Sequence, residues 1–168
     1  MDLYVIRHAD AQPLSETITD DAERPLTDTG IAQSKALGQC LQRLGVRLDV
    51  VLTSPLLRAR QTAEELVKVW SKPAPPVEVV DALVDASKRK KLSSVVRDVA
   101  KESIALIGHQ PDLAVYAGWL IGSKKANLDL DKSGVACIRC PEAPDRGSGT
   151  LLWLVTPQWF TLAPRHVD

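Results

Sequence analysis

The chain carries no net charge: 21 Lys and Arg balance 21 Asp and Glu, which argues against a broad electrostatic footprint for nucleic acid. It lacks any run approaching the roughly 20 apolar residues of a membrane span. It begins directly in a strand pattern, without a basic segment followed by a long apolar stretch. These absences predict a soluble, cytoplasmic protein with neither membrane nor nucleic-acid partners. There is no H-E-x-x-H, no P-loop and no carboxylate cluster, so neither a metal nor a cofactor is expected. Cysteine is scarce, limited to Cys40, Cys137 and Cys140. The last two match C-x-x-C, but the segment reads as a strand, where residues three apart face opposite sides. All three are read as packing cysteines. No internal repeat and no second domain is visible, so residues 1–168 are read as one domain able to bury a substantial core.

What is present is a set of strand ends. The run Leu3-Tyr4-Val5-Ile6 reads as a buried strand and hands over Arg7-His8. Val50-Val51-Leu52 leads into Ser54-Pro55-Leu56-Leu57-Arg58, and Ile104-Ala105-Leu106-Ile107 leads into Gly108-His109. In open α/β sheets the carboxyl edge of the strands is where ligands bind. Three strands that deliver arginine or imidazole to that edge point to a phosphoryl site.

Strands and helices alternate along the chain, the pattern of an α/β fold. Residues 10–25 form a long polar stretch without periodicity, a length that in a compact domain is functional or disordered. Thr27 is the expected N-cap of a helix with Ile31, Leu37, Cys40, Leu41 and Leu44 inward, and Gly45 is its stop. Ser54 is the expected N-cap of the next helix, with Pro55 at its first position and Ala59, Ala63, Leu66, Val67 and Trp70 inward. A short strand at 77–80 precedes a basic-surfaced helix with Leu92, Val95, Val96 and Val99 inward. Pro111 opens a helix to about Ile121. Residues 134–140 and 150–156 read as a closing hairpin. The predicted architecture is a three-layer α/β sandwich with a mostly parallel central sheet flanked by helices and a C-terminal hairpin.

Phosphoryl transfer asks for positioning and for positive charge around three equatorial oxygens. Arginine binds two oxygens at once and keeps its proton. Arg7 and Arg58 are therefore the candidate clamps, the latter helped by the helix dipole. A neutral His8 can act as nucleophile if its second nitrogen is held by an acceptor. His109 can donate to a nonbridging oxygen as charge develops. Of the three histidines, His166 lies in the C-terminal tail and is read as inert.

The segments Val5-Ile6-Arg7-His8-Ala9, Ser54 to Thr62 (Ser-Pro-Leu-Leu-Arg-Ala-Arg-Gln-Thr) and Ile107-Gly108-His109-Gln110-Pro111, in this order, resemble the histidine phosphatase superfamily, with its phosphoglycerate mutase-like fold. The resemblance implies that His8 is the phosphorylated nucleophile, that Arg7 and Arg58 bind the phosphoryl group, and that His109 completes the pocket. The chain is most similar to the short SixA-type branch, the phosphohistidine phosphatases, through Arg24-Pro25-Leu26-Thr27-Asp28-Thr29-Gly30. That match makes Arg24 a candidate third clamp; the other reading is a loop charge beside Glu23.

Three departures matter. Ala9 stands where the wider family usually has Gly. The Ser and Asn of phosphoglycerate mutases are replaced by Asp10-Ala11-Gln12-Pro13, which argues against mutase activity. The loop after the third strand reads Asp81-Ala82-Leu83-Val84-Asp85-Ala86, without the Glu general acid of many members; Asp85 or Asp81 can substitute, or be solvated loop residues. Asp112, near His109, is explained by helix capping. Lys88-Arg89-Lys90-Lys91 and Lys124-Lys125 can meet an acidic partner, although such runs are commonly solvated faces.

The expected activity is a metal-free phosphatase acting on phosphohistidine of a protein through phospho-His8. The alternatives are a phosphatase for a small phosphate ester and a phosphoprotein-binding module with little turnover.

Overall fold

In a computed structural model, which describes residues 1–123, 125, 126 and 128–160, the apolar runs become strands of one sheet. They are β1 (Asp2–Arg7), β2 (Val50–Thr53), β3 (Val77–Val79), β4 (Ser103–Gly108), β5 (Val135–Arg139) and β6 (Thr150–Val155). Their spatial order is β3-β2-β4-β1-β5-β6. The β1–β4, β2–β4 and β2–β3 pairings are parallel, while β5 pairs antiparallel with β1 and with β6. The mostly parallel sheet and the closing hairpin are as expected from the sequence.

Alternation along the strands sorts the core into two layers. Leu3, Val5, Val50, Leu52, Ile104 and Leu106 face α3 (Arg89–Val99) and α4 (Asp112–Leu120). Tyr4, Ile6, Val51, Ala105 and Ile107 face α1 (Asp28–Arg43) and α2 (Leu57–Lys68). The central strands are apolar on both sides because helices cover both sides. Cys137 belongs to the second layer and Cys140 to the first, so the C-x-x-C pair is split across the sheet, and all three cysteines are free.

The Thr27 hydroxyl accepts from Gly30 N at 3.0 Å, capping α1 as expected, and Gly45 follows the helix end with φ +74°. The inward face is made of smaller residues than expected: Gly30, Ser34, Leu37, Gly38 and Leu41 are buried, whereas Leu44 is 58% exposed. Leu44 sits at the helix end, past the contact with α2. That contact is close; a Cβ on Gly38 would lie 2.5 Å from the Leu66 carbonyl oxygen.

Ser54 does not cap α2. The helix begins at Leu57 after an extended Leu56 that lends no side-chain cap. The reason lies in the sheet: Ser54 N continues the β2–β4 ladder by donating to Ile107 O at 3.0 Å. Its hydroxyl meets His109 Nε2 at 2.8 Å.

The 10–25 stretch is pinned at its base. Ala11 and Leu26 form an antiparallel bridge, and Gln12 N donates to Pro25 O at 2.8 Å. A 3₁₀ turn, Asp21–Glu23, is capped by the Asp20 carboxylate. No helix among the described residues is long and apolar enough to cross a membrane. His166 and Lys124 lie outside the described residues.

Candidate active site

The parallel register brings the candidate residues together. Arg7 pairs with Gly108 and Thr53 with Ile107, so β1, β4 and β2 end almost level. The next residues are His8, His109 and Ser54. His8 N donates to Gly108 O at 2.9 Å, which holds the His8 backbone against the residue preceding His109. The two imidazole centroids lie 5.2 Å apart with the rings inclined by 56°. Arg58, the second residue of α2, reaches the same point and is almost fully buried.

His8 has a defined tautomer. Its Nδ1 lies 2.7 Å from Ala9 O, which can only accept, so Nδ1 carries the proton and Nε2 a lone pair. Arg58 Nε donates to that Nε2 at 3.3 Å. Burial pushes the His8 ionisation down to about 3, with the neighbouring His109, Arg58 and Arg7 acting in the same direction against the pull of the Ala9 carbonyl. The imidazole is therefore neutral near pH 7. His109 is pushed down to about 4, first by burial and then by Arg58.

Arg7 Nη1 donates to Leu130 O at 3.0 Å, while Arg7 Nε is buried without a hydrogen-bond partner among the described residues. His109 Nδ1 is likewise buried and unpartnered. Buried polar nitrogens are rarely left unpaired in native proteins, and these two belong to neighbouring strand ends of one pocket. Together with Arg58 they make a site suited to an anion.

Arg58 is also held by the loop. Its Nη1 donates to Asp21 O at 2.7 Å and its Nη2 lies 3.1 Å from Asp21 Oδ2. Arg24 Nη1 takes the other oxygen, Asp21 Oδ1, at 2.9 Å, and Arg24 Nε donates to Gln12 O. Arg24 therefore joins the site through Asp21. The two guanidiniums, Arg24 first, hold the Asp21 carboxyl below its usual range. Asp81 and Asp85 form no hydrogen bond or ion pair with the two histidines among the described residues. Asp85 pairs instead with Lys88 at 3.0 Å and with the Ser87 hydroxyl. Burial, with the Asp85 charge second, raises the Asp112 carboxyl.

Several supporting residues escape a sequence reading. Thr62 Oγ1 donates to Arg58 O at 2.7 Å and accepts from Ala9 N at 3.0 Å, joining the His8 segment to α2. Ser133, in the left-handed region at φ +61°, donates from its backbone N to Arg7 O and His8 O. Lys132 pairs with Asp10, whose carboxylate also accepts from the Thr27 hydroxyl. Gly30 permits the loop to approach α1: a Cβ there would sit 2.0 Å from Asp10 O. Thr62, Thr27 and Gly30 stand inside segments that carry the family resemblance, whereas Ser133 acts through its backbone and Lys132 through a pairing distant in sequence, which no local pattern encodes.

Two histidines and two arginines meet at the carboxyl edge of the parallel strands, with a neutral imidazole beside a buried guanidinium, an arrangement with the chemistry to bind an anion. Residues 3–88 match the family model for the histidine phosphatase superfamily (branch 1). An uncharacterized protein of Picosynechococcus sp. is 34% identical over 169 residues, covering 95% of this chain and 99% of that protein. The phosphohistidine phosphatase SixA of Escherichia coli K12 is 28% identical over 160 residues, 94% of each chain. A solved structure of the protein histidine phosphatase SixA complexed with tungstate superposes with a TM-score of 0.79 at 27% identity, covering 94% of this chain and 98% of that one. The chain belongs to the histidine phosphatase superfamily, branch 1.

Proposed function

We propose that this phosphatase hydrolyses phosphohistidine on a protein, with His8 as nucleophile, Arg7 and Arg58 as phosphoryl clamps and His109 as a donor to the developing charge. The observation that carries the reading is the His8 tautomer: Nδ1 bonded to Ala9 O leaves an unprotonated Nε2 beside Arg58 Nε. In the first step Nε2 attacks phosphorus and the bond to the leaving nitrogen breaks, so the phosphoryl group passes to His8. In the second, water attacks phospho-His8, giving inorganic phosphate and free imidazole. The buried Arg7 Nε supplies a further donor around the transferring oxygens, as does His109 Nδ1 when the Ser54 hydroxyl donates to Nε2.

The placement of Asp81 and Asp85 supports this substrate class. An alkoxide leaving group needs a positioned acid as the P–O bond breaks. Neither Asp81 nor Asp85 bonds to the histidines, and Asp85 is held in its ionised form by Ser87 and Lys88. A phosphohistidine imidazole protonated on its far nitrogen leaves as a neutral ring and needs no such acid. No cluster of three or more His, Cys, Asp or Glu among the described residues is placed to hold a metal ion, and metal-independent turnover is part of the reading. The likeness to SixA, a phosphohistidine phosphatase, supports the same substrate.

The test compares kcat/KM for phosphohistidine, phosphoserine and a sugar phosphate in the presence of chelator. Preference for phosphohistidine with an unchanged rate in chelator is expected. Equal or better turnover of the alkyl phosphates would overturn the substrate. Loss of rate on chelation would overturn metal independence. Acid-labile, base-stable label should be trapped on His8 and be absent from His8→Ala; label on Ser or Cys would overturn the nucleophile.

A further inference from the structure

Beyond the pocket the charge is segregated. Lys88, Arg89, Lys90 and Lys91 are all exposed at the start of α3; Arg97 lies further along the same helix, and Arg146 stands in the hairpin loop. They line three adjoining depressions of about 360, 320 and 200 Å³ that share Trp119. Trp119 is half-buried and stacked on Tyr116 at 6.0 Å, and the Tyr116 hydroxyl is tied to Ser93 Oγ at 3.0 Å. The aromatic floor is thus fixed from behind. Among the described residues only Lys88 of these six cations has an ion-pair partner, Asp85; Asp145 is the lone carboxylate in the lining.

A solvated face does not account for this arrangement well. α3 has no acidic residue in its first turn and no side-chain cap, and cations at a helix N-terminus oppose the dipole. In a chain of zero net charge, four consecutive cations sit where the helix tolerates them least. Carboxylates brought by a partner would relieve that repulsion.

α4 links the face to the pocket. α4 begins at Asp112, three residues after His109, and Trp119 lies seven residues further, about 10 Å along the helix axis. Asp85, the partner of Lys88, acts on the Asp112 carboxyl. About three extended residues match that rise along α4.

We propose that the groove between the start of α3, the end of α4 and the 141–149 loop docks an acidic segment of the phosphorylated protein substrate while its phosphohistidine enters the His8 pocket. The inference rests on the substrate reading above and extends it to the partner's surface. Complementary charge of this kind acts through encounter rate and orientation, so it is salt-sensitive.

The probes are synthetic peptides with one chemically phosphorylated histidine, a three-residue spacer, and an arm of Asp and Glu, of Gly and Ser, or of Lys. The acidic arm should raise kcat/KM roughly tenfold over the neutral arm at low salt, an advantage that shrinks as salt rises. The triple variant Arg89→Glu, Lys90→Glu, Arg146→Glu should lose that advantage while turning over the neutral-armed peptide and p-nitrophenyl phosphate at the parent rate. No advantage in the parent enzyme, or one that persists in the variant, overturns the proposal. Binding of the unphosphorylated acidic peptide, followed by tryptophan fluorescence, tests docking separately. If phosphohistidine peptides are not hydrolysed but the acidic peptide binds the parent and not the variant, the substrate reading fails and the docking face stands. Poly-U RNA or phosphatidylserine vesicles that bind the face, with no competition from the acidic peptide, would overturn the choice of partner.

Discussion

Asp21 meets Arg58 twice, through its backbone oxygen at 2.7 Å and its carboxylate at 3.1 Å, and so engages the donors proposed to clamp the phosphoryl group. The carboxylate is 54% exposed while the Arg58 side chain is 9% exposed, so the loop brings an anion from solvent onto a buried cation. Arg24 holds the other oxygen. With Arg58 as the proposed phosphoryl clamp, substrate would compete with this carboxylate for the guanidinium.

Asp21→Asn retains the backbone contact and removes the charge. Vanadate and product phosphate should then inhibit about two- to fivefold more tightly, the scale of a partly exposed ion pair. Inhibition constants measured at constant ionic strength check this. Weaker inhibition in the variant would mean that Asp21 positions Arg58 rather than competing for it.

Arg58 itself makes three kinds of contact: to His8 Nε2, to the Asp21 backbone and to the Asp21 carboxylate. Arg58→Ala should lower kcat/KM by roughly 10²–10³, the scale of losing one preorganised donor to the transition state. Arg58→Lys should recover only part of it, because an ammonium cannot present Nε to His8 and a fork to the oxygens together. Full recovery by Lys would reduce the role of Arg58 to charge alone.

The strand ends were legible because the sheet is parallel and its strands are short apolar runs. Once β1, β2 and β4 are recognised, parallel pairing places His8, Ser54 and His109 side by side. The loop was not legible. Residues 10–25 show no periodicity, and nothing in their spacing tells that Asp21 turns onto Arg58 or that Arg24 reaches the site through it. Ser54 departs from its local pattern for a physical reason: Ser-Pro before an amphipathic run is a helix-start pattern, and only tertiary pairing diverts the hydroxyl to His109. Ser133 is invisible for a similar reason, since its contribution is a backbone N–H and a left-handed φ.

The Ser54–His109 contact carries its own prediction. If the hydroxyl donates to Nε2, the His109 proton resides on Nδ1, the buried nitrogen that lacks a partner. Nitrogen-15 spectra should then show the Nδ1–H tautomer. Ser54→Ala should shift the tautomer balance and lower kcat about tenfold, within the range of a misplaced donor. An Nε2–H signal in the parent enzyme would reverse the direction of this bond.

The last prediction concerns pH. In the unfolded chain His8 and His109 ionise near 6.5, whereas burial lowers them to about 3 and about 4 in the fold. Between those values and 6.5 the unfolded chain binds protons that the native protein does not. Stability therefore rises with pH across that window, is fully present above 6.5, and is lost as pH falls toward 3. Urea titrations at pH 7 and pH 5 should give a lower midpoint at pH 5. The ring-proton resonances of His8 and His109, assigned with His109→Gln, should titrate below pH 5 when folded and near 6.5 in urea. A folded-state midpoint near 6.5 for His8 would mean that its ring reaches water, and a neutral nucleophile at pH 7 would then owe nothing to the buried pocket.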